Sequence, residues 1–133
     1  MPSIFSKTGR EQLNIAIVGF GVEGRALTEY FGKKGSVITV CDKDLKTGEI
    51  KSFHGINFRL GLGYLDHLQK FDAIFRSPGV PYLLEAFNPV RSRLTSATCF
   101  FFEKCPCQIV GVTGMKGKGT TSTLLFEMLK VAP

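Results

Sequence analysis

The 133-residue sequence predicts an α/β fold with a mostly parallel sheet flanked by helices. Three observations point there. Short β-branched apolar runs alternate with segments of helical periodicity. Two of these runs end in glycine-rich turns that open helices. The first such unit is completed by a second strand ending at an acidic residue, which makes a βαβ unit with a tight first turn.

Element by element, Asn14–Val18 (Asn-Ile-Ala-Ile-Val) reads as a buried parallel strand ending at a glycine turn. Residues 22–34 follow as a helix, with Ala26, Leu27, Tyr30 and Phe31 on one face and Gly35 as its C-cap. Residues 36–41 form a second strand, ended by Asp42. A third strand is expected over 56–60, a short helix over 64–70, and a fourth strand over 71–75. That last strand runs into the turn Ser77-Pro78-Gly79-Val80-Pro81. Residues 82–87 read as a helical turn stopped by Asn88-Pro89. Residues 95–104 read as a helix with a mostly buried Cys-Phe-Phe-Phe run, and 108–112 as a further apolar strand. A last helix is expected over 120–130. A new strand–loop–helix unit starts near Cys105-Pro106, which divides the chain into 1–104 and 105–133.

Composition narrows the function classes. Hydrophobic content of 44% with twelve Phe belongs to a folded chain. No stretch approaches the ~18 unbroken apolar residues of a membrane span. The start of the chain lacks an apolar leader, so a cytoplasmic location is expected. Cys41, Cys99, Cys105 and Cys107 match no dense disulfide framework, and His54 and His67 complete no zinc site with them. The formal charge of +6 is dispersed over Lys33, Lys34, Lys43, Lys46, Lys51, Arg91 and Arg93. No aromatic-interleaved basic signature accompanies it, so no nucleic acid is expected as a partner.

The first glycine loop, Gly19-Phe20-Gly21-Val22-Glu23-Gly24, fits G-x-G-x-x-G between a strand and a helix. Gly19 permits the turn, Gly21 lets a phosphate approach the backbone, and Gly24 allows close helix–strand packing. Amides at the helix start favour an anion. Asp42, eighteen positions after Gly24, stands where a dinucleotide site has its ribose carboxylate.

The second loop reads Thr113-Gly114-Met115-Lys116-Gly117-Lys118-Gly119-Thr120-Thr121. The strict G-x-x-x-x-G-K spacing would need glycine where Val112 stands, so that pattern is not met literally. The chemistry survives: Gly114, Gly117 and Gly119 allow a backbone nest for anionic oxygens. Lys118 can reach β- and γ-phosphates, and Thr120 or Thr121 can offer a hydroxyl to Mg²⁺.

Residues 111–125 resemble the ATP loop of the Mur ligases and of folylpolyglutamate synthase, which tolerates glycine after the loop lysine. With Ile-Val-Gly-Phe-Gly-Val-Glu-Gly at 17–24, Val-Cys-Asp-Lys at 40–43 and Ser-Pro-Gly-Val at 77–80, the chain is similar to the D-glutamate-adding branch of the Mur ligases from about residue 14 to 130. The resemblance implies a Rossmann-like first domain that holds the UDP part of UDP-N-acetylmuramoyl-L-alanine. Gly21, Val22 and Glu23 would then line the diphosphate or uridine, Asp42 and Lys43 the uracil and ribose, and Ser77, Pro78 and Gly79 the side of the base. Gly114, Met115, Lys116, Gly117, Lys118, Gly119, Thr120 and Thr121 would bind ATP, with Lys118 catalytic and Thr120 on the metal. Glu23 stands where the family often has Thr, and Lys116 where it often has Asn.

The implied reaction is ATP- and Mg²⁺-dependent amide formation with D-glutamate through an acyl phosphate. The chain ends about one helix after Lys118, so the resemblance implies a truncated ligase that binds a UDP-type nucleotide and is inactive alone. The apolar residues Ile109, Val110, Leu124, Leu125, Phe126 and Leu129 then need cover, and self-association or disorder of that segment is expected. Two other classes stay open. An NAD-binding Rossmann module accounts for Gly19–Gly24 and Asp42 but not for the later motifs. A non-catalytic interaction protein would keep the fold without nucleotide binding.

Overall fold

The structure is a computed structural model that describes residues 12–44 and 53–131. The polar start of the chain, Lys46 and Lys51 lie outside the described residues. Five strands form one sheet: β1 (Asn14–Val18), β2 (Val37–Asp42), β3 (Asn57–Leu60), β4 (Ala73–Arg76) and β5 (Leu94–Thr95). Every pairing is parallel and the order is β3-β2-β1-β4-β5. Among the described residues the α-helices are α1 (Val22–Gly32), α2 (Ala97–Lys104) and α3 (Lys118–Val131).

Alternation along β1 explains why that strand reads as a continuous apolar run. Ile15 and Ile17 pack with Leu27 and Phe31 of α1 and with Phe100 of α2. Ala16 and Val18 face the other side, among Leu68, Phe71, Phe87 and Val90. Both faces of the sheet are thus buried, as a parallel sheet requires. On the first face three rings lock α1, β4 and α2 together: Phe31 lies 5.2 Å from Phe75 and 5.1 Å from Phe100 between ring centroids. At the amino edge of the sheet, Asn14 and Asp72 pair β1 with the start of β4. The Asn14 amide donates to Asp72 Oδ2 at 2.9 Å and the Asp72 amide donates to the Asn14 carbonyl at 2.8 Å.

The first βαβ unit stands as the sequence predicts it. Gly35 takes a positive φ of 74°, and the Gly35 and Ser36 amides close on the carbonyls of Gly32 and Phe31. Elsewhere the elements differ from expectation. The helix expected over 64–70 is a succession of turns with one 3₁₀ turn, Leu68–Lys70. The segment expected to stop at Asn88-Pro89 instead runs through Pro89 as 3₁₀ turns over Glu85–Arg93. The apolar anchors Phe87 and Val90, both fully buried, decide this path. Thr95 belongs to β5, and α2 begins after Ser96, whose hydroxyl accepts from the Cys99 amide at 3.1 Å.

The Cys-Phe-Phe-Phe run is not mostly buried. Only Phe100 is, while Phe101 and Phe102 are 57% and 55% exposed, because an eight-residue helix offers one face to the sheet. Residues 108–112 do not form the expected strand. Among the described residues no strand lies beside them, and an isolated strand leaves its backbone groups without a ladder. α3 starts at Lys118, two residues earlier than expected, and buries none of its residues. Leu124, Phe126 and Leu129 are each about three-fifths exposed, so α3 does not fold back onto the sheet.

Two stability predictions follow from this packing. A Cβ on Gly24 would overlap the carbonyl of Gly19, a backbone atom that cannot swing aside. Gly24→Ala is expected to cost ~1–3 kcal/mol or more by overpacking, read as a lowered midpoint in urea unfolding. Burial raises the Cys41 thiol from 9.0 to about 11, partly opposed by Arg59. The folded state therefore holds that proton more tightly than the unfolded chain. Its contribution is full below pH 9 and is lost as the pH rises through about 11. Urea midpoints across that interval should fall more steeply for the native chain than for Cys41→Ala; equal slopes would refute it.

Candidate functional site

Because all strands run parallel, the loops after β1, β2, β3 and β4 emerge at one edge of the sheet. The chain leaves β1 toward β2 and β3, then crosses back to place β4 on the other side of β1. The carboxyl ends of β1 and β4 therefore bound the topological switch point, where open α/β sheets bind ligands. The loops that meet there are Gly19–Gly21 and Ser77–Val80.

Their approach is close. The Ser77 amide donates to the Val18 carbonyl at 2.9 Å, and the Ser77 hydroxyl donates to the Gly19 carbonyl at 3.1 Å. Gly19 has a φ of 95°, and a Cβ on it would lie 2.8 Å from Ser77 Cβ. Ser77–Val80 is a β-turn closed by the Val80 amide on the Ser77 carbonyl at 3.0 Å. Arg76 braces it, its Nη1 donating to the Ser77 carbonyl at 3.1 Å and also to the Val80 carbonyl.

Asp42 ties the β2 end to the same place. Its Oδ2 accepts from the Phe20 amide at 2.6 Å and its Oδ1 from the Asp44 amide at 2.9 Å. The carboxylate thus holds the first glycine loop in shape as well as facing the opening. A cavity of about 380 Å³ lies between these loops, bordered by Gly19, Asp42, Lys43, Tyr64, Gly79 and Val80.

Gly21 and Gly79 differ from Gly19 and Gly24. Neither has a positive φ, and a Cβ on either would meet no protein atom within 4 Å. Neither backbone conformation nor packing requires glycine at these two positions. What a side chain there would occupy is the open space beside the loops. Among the described residues no side chain caps the first turn of α1, whose leading amides can donate to an anion.

The sequence-predicted residues divide into groups. Asp42, Lys43 and Gly79 border the cavity at the switch point. Ser77 joins them through its bonds to Val18 and Gly19, Gly21 lies two residues beyond Gly19 in the first loop, and exposed Pro78 stands between Ser77 and Gly79. Val22 and Glu23 stand at the start of α1 and line a different recess, an apolar groove between α1 and α2. The second glycine loop is formed locally at the start of α3. Gly117 has a φ of 76°, and the Thr121 amide donates to the Gly117 carbonyl at 2.9 Å. Lys118 Nζ donates to the Gly114 carbonyl at 2.6 Å, which folds the lysine back over the loop. Met115, Lys116, Gly119 and Thr120 are exposed around it.

Sequence reasoning passed over Tyr64, Asp44 and Arg76. Tyr64 was accessible to the same logic as the first loop, since Gly61-Leu62-Gly63-Tyr64 follows a strand directly, and Gly61 and Gly63 take φ of 73° and 80°. Arg76 carries no motif; its role arises from a turn that closes only in three dimensions.

Comparison with known proteins bears on the family of the chain. Residues 13–94 match the model of the Mur ligase MurD-like N-terminal domain. A UDP-N-acetylmuramoylalanine–D-glutamate ligase of Acetivibrio thermocellus is 39% identical over 125 residues, which cover 87% of this chain and 27% of the relative. Ligases of the same name from Clostridium tetani and Clostridium botulinum (strain Okra) are 35% and 38% identical, with the same coverage. The chain therefore spans about a quarter of the length of the curated relatives it matches. With more than half of its residues on the family model, the chain belongs to the Mur ligases, through their MurD-like N-terminal domain.

Proposed function

We propose that the unit expected over residues 1–104 holds the uridine diphosphate part of UDP-N-acetylmuramoyl-L-alanine, and that the protein acts as the D-glutamate-adding ligase of peptidoglycan precursor synthesis. The observation that carries the reading is the pair Gly21 and Gly79, two glycines that conformation and packing do not require, at the switch point of the sheet. A planar base and a diphosphate need backbone at van der Waals distance, and a Cβ would intrude. The names of the relatives supply the identity of the nucleotide.

In this reading the first-turn amides of α1 and Gly21 receive the diphosphate, with Val22 and Glu23 contributing backbone rather than side chains. Asp42 and Lys43 border the uracil and ribose, and Ser77-Pro78-Gly79 closes over the base. Residues 105–133 open the ATP-binding unit. The left-handed Gly117, the open Gly119 and the folded-back Lys118 fit a phosphate loop. There Gly114, Met115, Lys116, Gly117 and Thr121 would surround the phosphates, and Thr120 would offer its hydroxyl to Mg²⁺. Lys118 would exchange its carbonyl partner for phosphate oxygens and offset the charge of the transferring phosphoryl. Magnesium supplies charge neutralisation when bound. The carboxylate of the L-alanine would be activated as an acyl phosphate and attacked by the amine of D-glutamate. UDP-sugar and ATP are cytoplasmic metabolites, and the proposal places the protein there. No described helix is long and apolar enough to cross a membrane.

The apolar side chains of α3 call for cover from outside the described residues. We place a second copy there when this chain is alone in solution. Sedimentation should then show association that rises with concentration, and a strict monomer would refute it.

Calorimetric titration with UDP and then NAD at one salt concentration tests the main reading. Saturable UDP binding without an NAD response is expected; NAD binding alone would make the chain a dinucleotide module. Gly79→Ala should leave the unfolding midpoint unchanged. It should weaken UDP by about tenfold or more, the equivalent of ~1–3 kcal/mol of steric conflict. Unaltered affinity would show that the space beside Gly79 does not receive the ligand.

A further inference from the structure

Among the described residues Tyr64 is the one aromatic on the border of the switch-point cavity, and no motif assigns it a role. Its position is fixed from both sides. The Gly61 amide donates to the Asp42 carbonyl at 3.1 Å, and the Tyr64 amide donates to the Gly61 carbonyl at 3.3 Å. The ring is partly buried against the cluster that includes Ala16, Val18 and Cys41, on which Val80 and Leu84 also pack. The hydroxyl, by contrast, has no hydrogen-bond partner among the described residues, and it is not sealed from solvent. Buried phenols usually find an acceptor, so a half-buried one left open at a cavity wall is set to take one from a ligand.

The surroundings favour the donor form. Burial, then the negative charge of Asp42, pushes the phenol above its ordinary 10.0, so it keeps its proton across the physiological range. Asp42 beside it is acceptor-only, and both of its oxygens already take a backbone N–H. A donor next to an acceptor suits a nucleoside, whose hydroxyls and carbonyls offer both kinds of group.

We propose that Tyr64 is a binding residue of this cavity, its ring forming a wall for the bound nucleoside and its O–H donating to a nucleoside oxygen. The inference rests on the nucleotide reading above and adds to it a contact that the glycine loops and the Ser77–Gly79 turn do not supply.

Two measurements on the full chain test it, with UDP as the probe. Tyr64→Phe keeps the ring and removes the donor. It should lower UDP affinity roughly fivefold, the effect of one hydrogen bond, with the melting temperature unchanged. The chain has three tyrosines and no tryptophan, so nitration is readily mapped. Saturating UDP should protect Tyr64 from tetranitromethane while leaving Tyr30, which lines the separate α1–α2 groove, equally modified. A Tyr64→Phe chain that binds UDP as the native chain does, or nitration of Tyr64 indifferent to UDP, overturns the inference. Failure of the native chain to bind UDP would sink the nucleotide reading itself, and so is told apart from failure of the Tyr64 contact.

Discussion

The candidate site depends on two close approaches that share Gly19. Gly24, in the first turn of α1, sits against the carbonyl of Gly19, and Gly19 in turn sits against Cβ of Ser77. The first contact sets how near α1 lies to β1, and hence where its leading amides point. The second brings the loop after β4 against the loop after β1, fifty-eight residues away in sequence. Side chains larger than hydrogen at either glycine would separate these layers. The Phe31–Phe75–Phe100 contacts beneath them would then lose their fit, because a packed interior does not expand smoothly.

Asp42 adds a polar counterpart to that steric constraint. A carboxylate at the end of the second strand, read by motif alone, suggests a ribose ligand. Here it also accepts the Phe20 amide inside the first glycine loop, at 2.6 Å. A charged acceptor on a backbone N–H is among the stronger hydrogen bonds available to a loop. The same group therefore shapes the loop and borders the cavity. Motif logic for a dinucleotide site assigns it only the second of these tasks.

Much of this was legible in the sequence, for physical reasons that also mark where legibility stops. Asn14–Val18 and residues 36–41 announced themselves because strands buried on both faces are mostly apolar. Gly19, Gly24 and Gly35 were readable since turn geometry and helix termination act within a few residues. Phe87 and Val90 were not, because their anchoring on the lower face of the sheet overrides the local stop at Pro89. Phe101 and Phe102 mislead for a related reason: composition says buried, while a two-turn helix has only one face to bury. The strand expected at 108–112 fails on partners rather than propensity. Within the site, Gly21, Gly79 and Asp42 could be named from motifs, whereas Tyr64 and Arg76 required the cavity and the closed turn to be seen.

The two glycine loops differ in how much of the protein each needs. The loop before α3 is shaped by neighbours in sequence: Lys118 on Gly114, Thr121 on Gly117, and one left-handed glycine. Such a loop can form its anion nest while α3 itself remains unburied. The loop after β1 has no such independence. Its shape is set by Asp42 from β2 and by Ser77 from β4, so it exists only when β1, β2 and β4 are assembled. Any ligand recognition at the switch point would for that reason be tied to the stability of the whole sheet. The glycine loop at Gly114–Thr121 answers mainly to its own backbone.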